Sequence, residues 1–116
     1  MVNIKIGISG CLGRMGQELV NEANKDNRIK YAGGFDFKDN NNNIDKVFES
    51  ADVVIDFSSP RAIKNNIEFS IYRKTGLVVG TTGLNENNLK LLKNASKKIP
   101  ILVSSNMSLS VNLLFN

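Results

Sequence analysis

The stretch GISGCLGRMG at residues 7–16 carries a glycine at every third position and directly follows a short apolar run. Each glycine in a strand or helix interior costs about 0.5–1 kcal/mol relative to alanine, so four of them need a compensating gain. At a turn from strand to helix, that gain is close approach of the main chain to an anion, because no side chain blocks it. The feature therefore predicts a strand, a tight glycine turn and a helix at the start of the chain.

Strand and helix patterns alternate along the remaining sequence with short connections. Apolar alternation or compact apolar runs predict strands at 2–8, 29–35, 51–57, 77–80 and 101–103. Helical spacing predicts helices at 14–25, at 45–50, from 60 to 76, and from 85 to a point before Pro100. This order is typical of an α/β fold, and we predict a single domain with a Rossmann-like, doubly wound parallel sheet in three layers.

Details of the third and fourth helices are also predicted. Serine before Pro60 is expected to cap the third helix, and Ile63, Ile67 and Ile71 are expected to form its buried stripe. Gly76 is expected to end that helix as a C-terminal glycine. Asn85 is expected to cap a fourth helix whose apolar residues are Leu89, Leu92 and Ala95.

Composition narrows the class of protein. The 15 basic and 11 acidic residues give a net charge of +4, but the lysines are spread along the chain, which does not favour nucleic-acid binding. The excess can instead attract a small anionic ligand. The single cysteine and the absence of any apolar run of roughly 20 residues lead us to expect a cytoplasmic protein without disulfides or a membrane span.

The glycine turn and one acid together indicate a dinucleotide. Gly10, Gly13 and Gly16 have the spacing G-x-x-G-x-x-G, and Asp36 lies twenty residues further on, at the end of the second predicted strand. A carboxylate there can accept hydrogen bonds from the adenosine ribose and repel a 2′-phosphate, which favours NADH over NADPH. A tight turn without a ligand and an ordinary turn aspartate remain the alternatives. Cys11 has no histidine partner in the chain and is expected to fill space, and no metal site is predicted.

Four motifs carry a resemblance to a known family. They are GCLGRMG at 10–16, DVVIDFSSP at 52–60, VVGTTG at 78–83 and SSNMSLSVN at 104–112. With these motifs in this order, essentially the whole chain resembles the N-terminal part of the bacterial dihydrodipicolinate reductases (4-hydroxy-tetrahydrodipicolinate reductases) of lysine and diaminopimelate biosynthesis. The resemblance implies an oxidoreductase that transfers hydride from NADH or NADPH to an unsaturated cyclic dicarboxylate.

The resemblance also implies the roles of individual residues. The pyrophosphate would lie against Gly10, Cys11, Leu12, Gly13, Arg14 and Met15, and the adenosine ribose against Asp36. Phe57 and Ser58 would border the cofactor, and Gly80, Thr81 and Thr82 would line its nicotinamide side, with Thr82 also reaching the substrate. Main-chain contacts to the nicotinamide would come from Ser104, Ser105, Asn106 and Met107. Relatives often carry a basic residue directly after the ribose-binding acid, where this chain has Phe37, and this departure weakens the expectation of NADPH binding.

The family continues for about as many residues again, into a substrate and oligomerisation domain with a histidine-rich catalytic segment. We therefore expect residues 1–109 to form the dinucleotide-binding domain and 110–116 to begin the hinge to that second domain. The chain has no histidine, so the family's general acid and lysine would lie beyond Asn116, and this chain alone is expected to be inactive.

Two other classes of protein can carry a nucleotide-binding glycine turn. A short-chain reductase needs a Tyr-x-x-x-Lys pair, but Tyr31 is followed four places later by Phe35 and Tyr72 by Gly76, which excludes that reading. A stand-alone, non-catalytic nucleotide-binding or sensor module is the remaining alternative.

Overall fold

Five parallel strands form the centre of the fold. The computed structural model describes residues 3–36 and 43–104, and its strands are β1 (Ile4–Ser9), β2 (Ile29–Phe35), β3 (Val53–Asp56), β4 (Gly76–Val79) and β5 (Ile101–Val103). Their order in the sheet is β2-β1-β3-β4-β5, and every neighbouring pair is parallel. The strands are apolar on both faces, as a parallel sheet covered on both sides requires.

Helices cover both faces of this sheet. They are α1 (Arg14–Lys25), α2 (Ile44–Ser50), α3 (Ile63–Arg73), which a 3₁₀ turn at Pro60–Ala62 precedes, and α4 (Glu86–Ala95). Helix α1 packs through Leu19 on the face that carries Ile6 and Ile8. Residues of α2, α3 and α4 pack on the opposite face around Val54 and Leu77. The predicted three-layer, Rossmann-like α/β fold is confirmed. In the described ranges, no helix is both long and apolar enough to cross a membrane.

The strand order places a crevice at one edge of the sheet. The chain passes from β1 outward to β2 and then, through α2, to β3 on the other side of β1. The connections that leave β1 and β3 consequently lead to helices on opposite faces of the sheet, and open α/β sheets bind their ligands at the carboxyl ends of two such strands. Ser9 and Asp56, the last residues of β1 and β3, are paired in register and are both fully buried.

The end of α3 differs from the sequence prediction. The helix ends at Arg73, and Lys74, not Gly76, takes the left-handed conformation after it, with φ 55° and ψ 44°. The Thr75 amide then donates to the Ser70 carbonyl at 2.9 Å, which closes the turn as in a Schellman motif. Gly76 is free to begin β4, because the helix is already closed two residues earlier.

Two further details concern the start of α3 and the buried face of α4. Ser59 precedes the 3₁₀ turn without a capping hydrogen bond from its side chain, so proline rather than serine marks the start of that segment. Leu89 is 48% exposed, because the buried face of α4 carries Asn88, Leu92 and Ala95 instead. The predicted stripe of α3 is confirmed, with Ile63 and Ile67 buried and Ile71 partly buried.

The cap of α4 provides a stability prediction. The Asn85 side chain accepts from the Asn88 amide at 2.8 Å, and the Asn88 side chain accepts from the Asn85 amide at 3.0 Å. Asn85→Ala removes one half of this capping box and should lower the free energy of unfolding by about 1 kcal/mol in urea titrations. Asn87→Ala, at an exposed position of the same first turn, should leave it within about 0.5 kcal/mol. Equal effects of the two changes would contradict the capping role.

Candidate functional site

The turn between β1 and α1 is tight because Gly10 and Gly16 lie where a side chain would not fit. Gly10 has φ +86°, and a Cβ there would lie 2.9 Å from the Ser58 amide nitrogen. A Cβ on Gly16 would overlap the Gly10 carbonyl oxygen, whereas a Cβ on Gly13 would meet that oxygen at an ordinary 3.5 Å. Packing therefore requires glycine at positions 10 and 16, and Gly13 leaves the outer side of the turn open.

The first turn of α1 is the electropositive part of the site. The first intrahelical hydrogen bond runs from the Gln17 amide to the Gly13 carbonyl at 2.9 Å, so the amides of the three residues between them have no acceptor in the helix. The first turn contains no acidic residue, and Arg14 is exposed. The partial positive charge of the helix start is therefore not neutralised from within α1, which suits an anion.

The turn itself is held by β2 and by Asp36. The Gly10 amide donates to the Phe35 carbonyl at 2.8 Å, and the Leu12 amide donates to Asp36 Oδ2 at 3.1 Å. Asp36 is 8% exposed. The acid at the end of β2 thus lies beside the glycine turn, as the ribose-binding prediction requires. The amides of the turn are already bonded within the protein, so the first turn of α1 is the part with amides available to an anion.

Cys11 fills space beside this turn. A Cβ on Gly34 would lie 2.8 Å from Cys11 Cβ, so the cysteine packs directly on the β2 backbone. Burial raises the pKa of the neighbouring Tyr31 phenol, and the thiol of Cys11 adds a smaller effect in the same direction. These contacts agree with the expected packing role of Cys11.

A cleft of about 170 Å³ lies at the same edge of the sheet. Its lining comes from the first turn of α1, the end of β3 and the end of β4, and consists of Met15, Phe57, Ser58, Gly80, Thr81 and Thr82. A Cβ on Gly80 would overlap the ring of Phe57, so this ring packs directly against the main chain that follows β4. Six residues from three of the four motifs therefore form one surface.

Asp56 organises this cleft, although the sequence analysis did not single it out. Its Oδ1 accepts from the Ser58 amide at 2.9 Å and from the Ser58 hydroxyl at 2.5 Å. Its main-chain carbonyl accepts from the Gly80 amide at 2.8 Å and from the Thr81 hydroxyl at 3.3 Å. The available signal was an acid that directly follows the buried apolar run of β3, where an apolar residue would be expected.

The remaining predicted site residues lie after β5. The Ser104 amide donates to the Val79 carbonyl at 2.8 Å, which places Ser104 beside the end of β4. Ser105, Asn106 and Met107 lie outside the described residues, as do Phe37 and the predicted hinge at 110–116. Within the ranges 3–36 and 43–104, no three histidine, cysteine or acidic side chains come together as a metal site would require.

The fold, the glycine turn and Asp36 define a Rossmann-like domain of the nicotinamide dinucleotide-binding class. Residues 4–107 match the protein family described as "Dihydrodipicolinate reductase, N-terminus". The chain therefore belongs to this family.

Curated relatives are about twice as long as this chain. A 4-hydroxy-tetrahydrodipicolinate reductase of Rickettsia rickettsii (strain Sheila Smith) is 38% identical over 111 residues, which cover 96% of this chain and 46% of that protein. The enzyme of the same name from Zymomonas mobilis is 38% identical over 116 residues and is covered to 45%. The chain thus spans about half the length of the curated relatives it matches.

Solved structures share the fold at lower sequence identity. A dipicolinate-bound dihydrodipicolinate reductase from Paenisporosarcina sp. TG-14 superposes with a TM-score of 0.65 at 19% identity, over 90% of this chain and 48% of that one. A Plasmodium falciparum pyrroline carboxylate reductase with NADP bound gives a TM-score of 0.56 at 19% identity, over 89% and 42% of the two chains. At these identities the likeness concerns the fold alone.

The glycine turn yields a prediction with an internal control. Gly16→Ala should destabilise the protein by about 1–3 kcal/mol, because the added methyl group overlaps the Gly10 carbonyl and forces helix or turn to move. Gly13→Ala adds the same group at an ordinary contact distance of 3.5 Å, at φ −74°, and should change the free energy of unfolding by less than about 1 kcal/mol. Urea unfolding of both variants is the measurement, and similar stabilities would refute the tight turn.

Proposed function

We propose that this chain is the NAD(P)H-binding half of a 4-hydroxy-tetrahydrodipicolinate reductase, with NADH as the preferred cofactor. The observation that carries the proposal is the hydrogen bond between Asp36 and the Leu12 amide. This hydrogen bond holds a buried acid next to the start of α1. The acid can accept hydrogen bonds from ribose hydroxyls, and the amides at the helix start can bind a diphosphate. The sequence identity to enzymes of that name gives the proposal its reaction class.

The diphosphate would lie across the first turn of α1. The amides there have no intrahelical acceptor, and Arg14 adds a full positive charge at the same place. Gly13 leaves this approach open, since it carries no side chain at the N-cap position.

The adenosine ribose would lie against Asp36. One carboxylate oxygen is held by the Leu12 amide, which fixes the orientation of the group before a ligand arrives. A negative charge at this position accepts hydrogen bonds from the ribose hydroxyls and repels the additional phosphate of NADPH.

The nicotinamide side would lie in the cleft formed by Met15, Phe57 and residues 80–82. When bound, the reduced cofactor supplies a hydride. The residues of this chain hold the cofactor in place, exclude water with the Phe57 ring and bring Thr82 to the side from which a cyclic dicarboxylate would approach. Such positioning lowers the barrier by removing the entropy cost of bringing two reactants together. The rest of the substrate site and the oligomer contacts would belong to the second half of the full-length enzyme.

Calorimetry with NADH tests the proposal directly. We expect the 116-residue chain to bind NADH with micromolar or weaker affinity, and to oxidise no NADH when 4-hydroxy-tetrahydrodipicolinate is added, because the chain lacks a histidine for the family's general acid. A folded chain that gives no heat with NADH would overturn the proposal. Turnover by the chain alone would overturn the assignment of the chemistry to the other half.

Asp36→Asn tests the preference for NADH. Asparagine keeps an oxygen for the Leu12 amide but removes the negative charge. The ratio of NADPH affinity to NADH affinity should rise about tenfold, because charge repulsion at the ribose is lost. Asp52→Asn is the matched control, since the Asp52 carboxylate accepts from the Lys5 amide at 2.9 Å at the opposite edge of the sheet. An unchanged ratio in Asp36→Asn would show that this acid does not contact the ribose.

A further inference from the structure

Asp56 is a fully buried acid, and its burial lowers the stability of the fold. The residue is 0% exposed, its Oδ2 has no hydrogen-bond partner among the described residues, and no ion pair of residues 3–36 and 43–104 includes it. A buried carboxylate without a counter-ion lowers stability, and proteins tolerate this mainly at functional positions. The position of Asp56 at the crevice between β1 and β3 agrees with such a role.

Four hydrogen-bond donors of the cleft walls converge on this residue. The Ser58 amide and hydroxyl donate to its Oδ1, and the Gly80 amide and the Thr81 hydroxyl donate to its main-chain carbonyl. Asp56 therefore connects the wall that follows β3 with the wall that follows β4.

This arrangement makes the hydroxyl groups of Ser58 and Thr81 hydrogen-bond donors to Asp56. A serine or threonine hydroxyl has one proton and two lone pairs. The protons of Ser58 and Thr81 both point at Asp56, so each oxygen has only lone pairs left for another group. Ser58 lines the cleft and is partly exposed, so its oxygen can meet a ligand as an acceptor.

We propose that Asp56 is a positioning residue that sets Ser58 to accept a hydrogen bond from a donor group on the nicotinamide half of the cofactor. This inference rests on the proposed function. A primary carboxamide or a ribose hydroxyl supplies such a donor, whereas a phosphate presents only acceptors and is directed to the first turn of α1. The first turn of α1 thus binds the phosphates, which are hydrogen-bond acceptors, and Ser58 binds a donor group on the nicotinamide half of the same ligand.

Ligand-selective binding tests this inference. Calorimetric titrations with NADH and with ADP, which lacks the nicotinamide half, are compared in four proteins. Ser58→Ala and Asp56→Ala should each weaken NADH binding about three- to tenfold and change ADP binding less than twofold, as expected for the loss of one hydrogen bond. Ser59→Ala is the matched control, since this neighbouring exposed serine makes no side-chain cap, and it should bind both ligands like the unchanged chain.

A double substitution separates positioning from a general structural effect. If Asp56 acts through Ser58, the loss of NADH affinity in Asp56→Ala/Ser58→Ala should be clearly smaller than the product of the two single losses. Losses that multiply, NADH binding unchanged in Ser58→Ala, or ADP binding weakened as much as NADH binding would each overturn the inference.

Ser58→Thr keeps the hydroxyl group and provides the rescue. If circular dichroism shows that Asp56→Ala does not fold, Ser58→Ala is compared with Ser58→Thr. NADH affinity that is retained in Ser58→Thr and lost in Ser58→Ala supports the acceptor role of Ser58. Equal NADH affinities of the two variants overturn it. If the unchanged, folded chain binds neither NADH nor ADP, the proposed function fails. If it binds both but all variants bind NADH equally, only the role of Asp56 and Ser58 fails.

Discussion

The approach of the Gly10 carbonyl to the first turn of α1 is the contact on which the rest of the site depends. It exists because Gly16 has no side chain, and it fixes where the helix begins relative to β1. The same turn brings Gly10 against the main chain at Ser58, so the loops after β1 and β3 are in contact. The open helix start, Asp36 and the cleft therefore lie close together at the carboxyl ends of the strands, because Gly10 and Gly16 allow this close approach.

Two acids at the ends of β2 and β3, the strands on either side of β1, stabilise this edge. Asp36 ties the glycine turn to β2 through the Leu12 amide, and the carboxylate of Asp56 holds the Ser58 amide just after β3. Each carboxylate thus holds a protein amide in a fixed position without a ligand. A site whose groups are ordered in advance loses less conformational entropy when a ligand binds.

The sequence predicted the strands and the α1 boundaries well, because apolar periodicity and the glycine turn are local signals. It failed where tertiary packing decides between local alternatives. Gly76 was the obvious helix terminator, but the Thr75 amide closes the helix earlier and leaves Lys74 in the left-handed conformation. The contacts of Asp56 were equally hidden, since its partners Gly80 and Thr81 lie in the loop after β4 and spacing alone does not bring them together. The position of Asp36 beside the glycine turn was predictable, because its distance of twenty residues from Gly16 is itself a sequence pattern.

The same hydrogen bonds bear on how the reaction would be divided within a full-length enzyme. A general acid must hold a proton within reach of the substrate and be able to release it. Asp36 accepts from a turn amide, and Asp56 is buried with Oδ1 occupied by two donors of Ser58, so neither carboxyl group faces the cleft as an available acid. The side chains of the six residues that line the cleft carry hydroxyl groups, a thioether and apolar groups, and none of these is an acid near neutral pH. Under the proposed function, the residues that line the cleft orient a hydride donor and none of them supplies a proton, which agrees with placing the acid in the second half of a full-length enzyme.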